Sequence, residues 1–289
     1  MAAARSVTAR FASPPARPRT VAALGIAIVL VLSVGIAVVI RRDASATRPP
    51  SASFQDTFER RQAGSFGLDN IEVLSDEDGF ERVLRVHFPK GSASPTVSRE
   101  EEAPVGGAQE YLALGDGRTV DRLHLRYYVR FPVGFDFVKG GKLPGLFGGT
   151  VTGGRRTPDG SDGFSTRYMW RRDGAGEVYA YLATSDGEGT SLGRGQWSFT
   201  PGRWHLLEQE VVLNQPGSDD GHVRVWLDEE LVLQEEGLRY RSVDTLGIEG
   251  VFFSTFFGGG DPSWATPHDT YLDLAGLAVS DEYLGRAVR

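Results

Sequence analysis

The chain has 289 residues, 40% of them hydrophobic, a formal net charge of −7 and no cysteine. That hydrophobic content supports one sizeable core, and the 37 glycines suit an all-β chain with many turns. The missing cysteines exclude disulfides, thiol catalysis and thiolate metal sites, and the overall acidity argues against a nucleic-acid partner.

Residues 1–20 form a basic leader carrying Arg5, Arg10, Arg17 and Arg19. Residues 21–40 then run without a charge. About twenty such residues cross a bilayer core, whereas a secretory apolar region is usually roughly 7–15 long. The length favours a retained single-pass transmembrane anchor. Ala44-Ser45-Ala46 is a pattern that signal peptidase cleaves, so a secreted product is the alternative. The basic leader keeps its own end cytoplasmic, which makes everything after about residue 50 extracytoplasmic. Residues 41–53, rich in Pro, Ser and Ala, read as a linker to a single domain over 54–289.

From there, period-2 alternation recurs, the mark of half-buried strands. It covers 82–88, 121–131, 163–171, 177–184, 203–213, 221–227, 248–257 and 270–279. The clearest stretch sets Leu123, Leu125, Tyr127, Val129 and Phe131 on one face. Turn signals at Asp173-Gly174, Asp186-Gly187, Pro216-Gly217, Asp220-Gly221 and Gly258–Gly260 separate the strands. No long helical period competes, so an all-β, two-sheet antiparallel sandwich of the concanavalin-like jelly-roll type is expected; strand number alone does not separate it from an immunoglobulin-like sandwich.

One segment departs from the acidic average. Residues 139–172 hold seven Lys or Arg against two Asp, a local balance of +5 that suits an acidic ligand. A solvated, charge-rich hairpin would read the same way. Within the segment, Lys139 and Lys142 flank a glycine pair, a pattern common in solvated loops that also allows close backbone approach to a ligand. The strand that follows points Ser165, Arg167, Met169 and Arg171 to one side and Phe164, Thr166, Tyr168 and Trp170 to the other. In the next strand Tyr179 and Tyr181 share a face, opposite Val178, Ala180 and Leu182. A three-residue loop Asp173-Gly174-Ala175 would bring the polar sets together, with Arg167 opposite Tyr181 and Met169 opposite Tyr179. A four-residue loop would put them on opposite faces.

A lysine, a serine, an arginine and two tyrosines within reach of one groove suit proton abstraction from an acidic sugar. A free phenol, with a pKa of about 10, is a poor base at neutral pH. A neighbouring guanidinium favours the phenolate and can also bind a uronate carboxylate in bidentate fashion. Neutralising that carboxylate stabilises the enolate that forms when the C5 proton leaves. Tyrosine can serve as base and then as acid toward the departing O4, with no metal or other cofactor. Tyr and Arg alternating on a hairpin is equally ordinary in sheets with no catalytic role.

Three stretches, FPVGFDFVKGGKLPGLFGG (131–149), the Ser-x-Arg and Tyr-x-Tyr hairpin, and FFSTFFGGGDPSWATPHDTYLDL (252–274), resemble polysaccharide lyase family 14 and its glucuronan-lyase relatives. The resemblance covers most of 54–289 and implies a β-jelly-roll enzyme that cleaves uronic-acid polymers such as alginate or glucuronan by β-elimination. It also implies a catalytic set that falls on Lys142, Ser165, Arg167, Tyr179 and Tyr181. Lys142 and Arg167 would neutralise the carboxylate. Tyr181 or Tyr179 would be base and acid, with Tyr181 favoured by its expected neighbour Arg167. Ser165 would orient substrate or tyrosine.

Other residues carry weaker readings. Lys139 and Arg171 are candidate substrate-binding cations. Gln209 is a candidate for a sugar hydroxyl, and His205 is either a substrate-side residue or one that packs locally. Glu208 and Glu210, about 7 Å apart along one strand, could imitate a hydrolase pair. Asp261 could bind a cation or cap a turn, and Trp264 and Phe257 could stack a sugar ring or fill the core edge. The expected partner is an acidic polysaccharide bound by a monomeric protein. A non-catalytic carbohydrate-binding module is the principal alternative, and it would not depend on the two tyrosines.

Overall fold

The structure is a computed structural model that describes residues 58–154 and 156–287. The leader, the apolar stretch 21–40 and the linker, residues 1–53, lie outside the described residues. Among those described, no helix is long and apolar enough to cross a membrane. The strands in chain order are β1 (Phe58–Phe66), β2 (Ile71–Glu77), β3 (Phe80–Phe88), β4 (Ala108–Leu114), β5 (Arg122–Arg130), β6 (Gly140–Leu143), β7 (Gly145–Gly149), β8 (Gly163–Arg171), β9 (Gly176–Tyr181), β10 (Thr190–Leu192), β11 (Trp204–Val212), β12 (Gly221–Leu227), β13 (Glu230–Leu238), β14 (Gly250–Phe257) and β15 (Thr270–Ser280). A short helix α1 (Pro95–Glu100) is capped by Ser94.

The strands form two antiparallel sheets, an all-β sandwich consistent with a jelly roll. One sheet has the order β1-β4-β14-β6-β8-β9-β10, with β7 also between β14 and β8; the other runs β13-β12-β11-β5-β15-β3-β2. Most alternating stretches of the sequence are strands within a residue or two of the expected limits. KGGKLPG is not a solvated loop. It forms β6 and β7, which are buried almost throughout and separated by Pro144, whose missing N–H interrupts the ladder. Its glycines serve packing: a Cβ on Gly141 would lie 2.0 Å from the Trp170 ring.

The core fills the space between the sheets. Phe164, Tyr168, Trp170, Val178 and Ala180 face Leu125, Tyr127, Val129, Leu207 and Val223 within one cluster. Trp170 meets Phe131 at 5.5 Å and Phe257 at 5.3 Å, both edge-on. Fixing that ring fixes β8, so the alternate residues of β8 are aimed at the outer face of the larger sheet.

The outer face of the seven-stranded sheet is tied by buried carboxylates. Asp273 of β15 stands in register between Arg85 of β3 and Arg130 of β5, and pairs with them at 2.8 and 2.7 Å. Glu208 of β11 accepts the backbone N–H groups of Leu284 and Gly285 at 2.8 and 2.9 Å, and His124 Nδ1 lies 3.0 Å away. Glu210 pairs with Arg122 and Arg224. The two glutamates that could have imitated a hydrolase pair are therefore both buried and both bound to structural partners. Removing a buried, fully bonded carboxylate strands its donors. Glu208→Ala should lower unfolding free energy by about 3–5 kcal/mol in denaturant titration. Glu208→Gln, which keeps an acceptor oxygen, should lose less.

Candidate active site

The outer face of the larger sheet is polar at its centre because β8, β9, β6, β14 and β4 each contribute alternate residues to it. The β8–β9 register differs from the expected one: Arg167 stands opposite Tyr179, Ser165 opposite Tyr181, and Met169 opposite Glu177. The loop is Arg172–Gly174, one residue earlier than expected, because Asp173 (φ 59°) and Gly174 (φ 80°) both adopt left-handed backbone. The shift is by two in the sum of paired numbers, so the polar faces still coincide. Phe256 of β14 pairs with Lys142 of β6, which in turn pairs with Met169. Lys142, Arg167, Arg171, Tyr179 and Tyr181 thereby share one face.

Arg167 is 4% exposed, and its Nη1 donates to Ser254 Oγ at 3.1 Å while Cζ sits 4.3 Å over the Phe252 ring. The β8 backbone at Arg167 packs close to β7 because Gly145 has no side chain; a Cβ on Gly145 would come 2.5 Å from the Arg167 Cα. A Cβ on Gly153 would fall 2.7 Å from Arg167 Nη2 and 3.7 Å from the Tyr181 ring, so that glycine lets guanidinium and tyrosine meet. Lys142 is 8% exposed, with Nζ 3.6 Å from the Tyr179 ring centroid and 2.8 Å from Met169 Sδ. Among the described residues neither Lys142 nor Arg167 has a carboxylate within ion-pair distance. Burial pushes the Lys142 ammonium well below its ordinary pKa, and the charges of Arg167 and Arg171 push it further. Burial likewise lowers Arg167.

Tyr179 and Tyr181 meet edge-on at 5.7 Å. Tyr179 Oη accepts the Gly189 N–H at 3.1 Å. Burial, then the neighbouring Tyr181, raises its pKa to about 12. Tyr179 is therefore a proton donor at neutral pH. Ser165, fully buried, donates to the Thr152 carbonyl at 2.7 Å rather than to either tyrosine. Thr152 Oγ1 in turn lies 2.7 Å from Tyr111 Oη. Ser165 thus holds the 151–154 segment, and with it Gly153, beside Arg167.

Two expected residues do not join this face. Gln209, fully buried, turns inward and bonds the Thr166 hydroxyl at 2.6 Å and its carbonyl at 3.2 Å. His205 is buried on the same side of β11, with Nδ1 3.0 Å from Asp228 Oδ2 and Nε2 accepting the Thr200 N–H. Both share the parity of Leu207 and Val211, so both belong to the core face rather than to the outer one. Sequence reasoning missed four residues that do line the face: Tyr111, Phe252, Ser254 and Glu177. Glu177 could have been found, since it shares the parity of Tyr179; the others come from strands distant in the chain.

The polysaccharide lyase 14 family model matches residues 76–277. The chain belongs to polysaccharide lyase family 14. A similar member is the marine family-14 alginate lyase from Aplysia kurodai, 33% identical, with 75% of this chain and 89% of that chain covered at a TM-score of 0.66. The alginate lyase vAL-1 from Chlorella virus is 24% identical over 72% of this chain and 88% of that one, at a TM-score of 0.60. The fold also extends to an endo-β-1,4-glucuronan lyase from the fungus Trichoderma reesei, 11% identical over 78% and 91%, at 0.51. No curated protein matches the chain. As a family-14 member the protein is a polysaccharide lyase.

The buried Lys142 has a measurable consequence. A lysine whose pKa is depressed on folding binds fewer protons in the native state than in the unfolded state. It therefore opposes folding most at low pH, and the penalty is relieved as pH rises through the depressed value toward about 10.4. Lys142→Met should raise unfolding free energy by about 0.5–2 kcal/mol at neutral pH. The gain over wild type should shrink steadily in unfolding titrations carried toward pH 10.

Proposed function

We propose that the protein cleaves a uronic-acid-containing polysaccharide of the alginate or glucuronan type by β-elimination, leaving a 4,5-unsaturated sugar. The observation that carries this reading is two buried cations, Lys142 and Arg167, facing two tyrosines with no carboxylate of their own to pair with. A uronate carboxylate supplies the missing anion. Arg167 and Lys142 bind it and stabilise the enolate formed as C5 loses its proton. Tyr181 is the base: its ring centroid lies 5.9 Å from the Arg167 Cζ, beside the gap that Gly153 leaves for the two groups to meet. Tyr179, held protonated, donates to the departing O4. Ser165 acts through the segment it anchors. No cofactor enters this scheme. The sandwich is taken as a jelly roll, and the substrate's extracellular setting agrees with the secreted or anchored route suggested by residues 21–46.

Ultraviolet absorbance of the conjugated product tests the reading, using residues 54–289 against alginate, glucuronan, pectate and glycosaminoglycans. Rising absorbance on alginate or glucuronan is expected, and Tyr181→Phe should lower kcat at least about a hundredfold while leaving binding within a few fold. A flat trace with binding retained would favour a carbohydrate-binding module instead.

One observation supports a second assignment of roles. A lysine with a strongly lowered pKa can itself be the base. Lys142→Arg separates the two: a carboxylate neutraliser keeps measurable turnover as arginine, whereas a base loses it entirely. If Lys142 is a neutraliser, the arriving carboxylate must raise its pKa again. Binding should then take up protons, read by calorimetry in buffers of different ionisation enthalpy across a pH series, and Lys142→Met should abolish that uptake.

A further inference from the structure

The cationic face does not stop at the tyrosines. Arg171, two residues beyond Met169 on β8, has its Cζ 5.4 Å from the Tyr179 ring centroid and 5.8 Å from that of Trp264. Trp264 ends a short turn (Pro262–Trp264) in the loop that follows β14, where Asp261 accepts the Ser263 N–H. The carboxylate of Asp261 is thereby used as a cap. Lys139 Nζ lies 5.9 Å from the same indole and donates to Ser263 Oγ. The indole is partly exposed and flanked by two cations.

Two features build this arrangement. A Cβ on Gly259 would fall 2.1 to 2.3 Å from three atoms of the indole, so the ring lies across a backbone that tolerates no side chain there. Glu177, fully buried, holds the Arg171 guanidinium through Nε at 2.7 Å and Nη2 at 2.5 Å from one oxygen. Its other oxygen accepts Ser191 Oγ at 3.0 Å. Arg171 is thus fixed in place on the Trp264 side of the centre, and its charge also reaches Lys142.

We infer that Trp264, Arg171 and Lys139 form a separate uronate-binding subsite, which grips an acidic sugar ring displaced along the polymer from the bond that is cleaved. The indole offers an apolar plane to the C–H face of a pyranose, and its polar N–H edge tolerates a wet rim. Arg171 and Lys139 offer charge-assisted hydrogen bonds to a carboxylate on that ring. Arg171 is already paired with Glu177, whereas Lys139 has no ion-pair partner among the described residues; a neutral sugar would leave it so, and the subsite therefore favours a run of acidic residues rather than one. This inference rests on the proposed acidic-polysaccharide substrate and extends it from the reacting sugar to its neighbours.

The test is the length dependence of KM on alginate and glucuronan oligosaccharides of increasing size. In the wild type, KM should fall once the oligosaccharide reaches Trp264. In Trp264→Ala that fall should disappear, leaving KM for long oligosaccharides about tenfold higher with kcat within about twofold, the mark of lost uniform binding. Trp264→Phe should restore most of it. Lys139→Ala, a change at a partly exposed side chain that carries little folding risk, should raise KM about threefold at low salt, and the effect should vanish at high salt. An unaltered length dependence in both variants would overturn the inference, as would a fall in kcat at constant KM. If the wild type cleaves no polyuronate, the lyase chemistry fails independently of the subsite. Mobility in gels containing alginate or a neutral glucan then decides. Retardation by alginate alone that Trp264→Ala loses keeps the subsite, and equal mobility of the two proteins removes it.

Discussion

Like charges held together out of water are the constraint on which the site depends. Lys142, Arg167 and Arg171 project from adjacent strands onto a face where each is at most a tenth exposed, and one carboxylate, Glu177, is bonded to Arg171 alone among them. Burial and mutual repulsion both work against the charged forms. The arrangement persists because the scaffold over-determines it: Trp170 locks β8 from below, Gly145 lets the β8 backbone pack close to β7, and Gly153 leaves room for the Arg167 guanidinium. The stability lost at this face is recovered elsewhere, in the large aromatic core and in the ion ties of the opposite sheet. A polyanion is the ligand such a face is short of.

The sandwich separates these two electrostatic regimes. On the seven-stranded sheet, Asp273, Glu208 and Glu210 each meet cations or backbone donors in bonding distance, and the charges are closed on themselves. On the larger sheet the cations outnumber their partners. The same residue types therefore do opposite work on the two outer faces: buried carboxylates are paired on one, and on the other the buried Lys142 and Arg167 lack carboxylate partners among the described residues.

Much of this was legible in the sequence, for reasons that also explain the failures. Period-2 alternation located β5, β8 and β12 because each has one apolar face against the core. It missed β6 and β7, where glycine replaces side chains and both faces are covered, and β13, whose glutamates look like solvated turn. The polar face of β8 and β9 was found because parity survives a two-residue slip. The pairing itself was not found, because it depends on left-handed backbone at Asp173, a residue for which nothing local demands it. His205 and Gln209 share parity with Leu207 and Val211, so their inward direction was readable; only their chemistry suggested otherwise. Tyr111 and Ser254 reach Arg167 through strand order, which no local pattern encodes.

That strand order governs how the domain can form. β14 lies between β4 and the β6–β7 pair, and β15 lies between β5 and β3, so the last two strands of the described chain are interior to the two sheets. Until residues 250–280 exist, each sheet is two fragments with exposed edges, and the pairings that join them span most of the domain. Such long-range closures are slow, and unpaired edges invite association with other chains. Closure of both sheets must therefore wait until residues 250–280 have been made. A chain truncated before β14 would not be a smaller lyase but four sheet fragments with four newly opened edges.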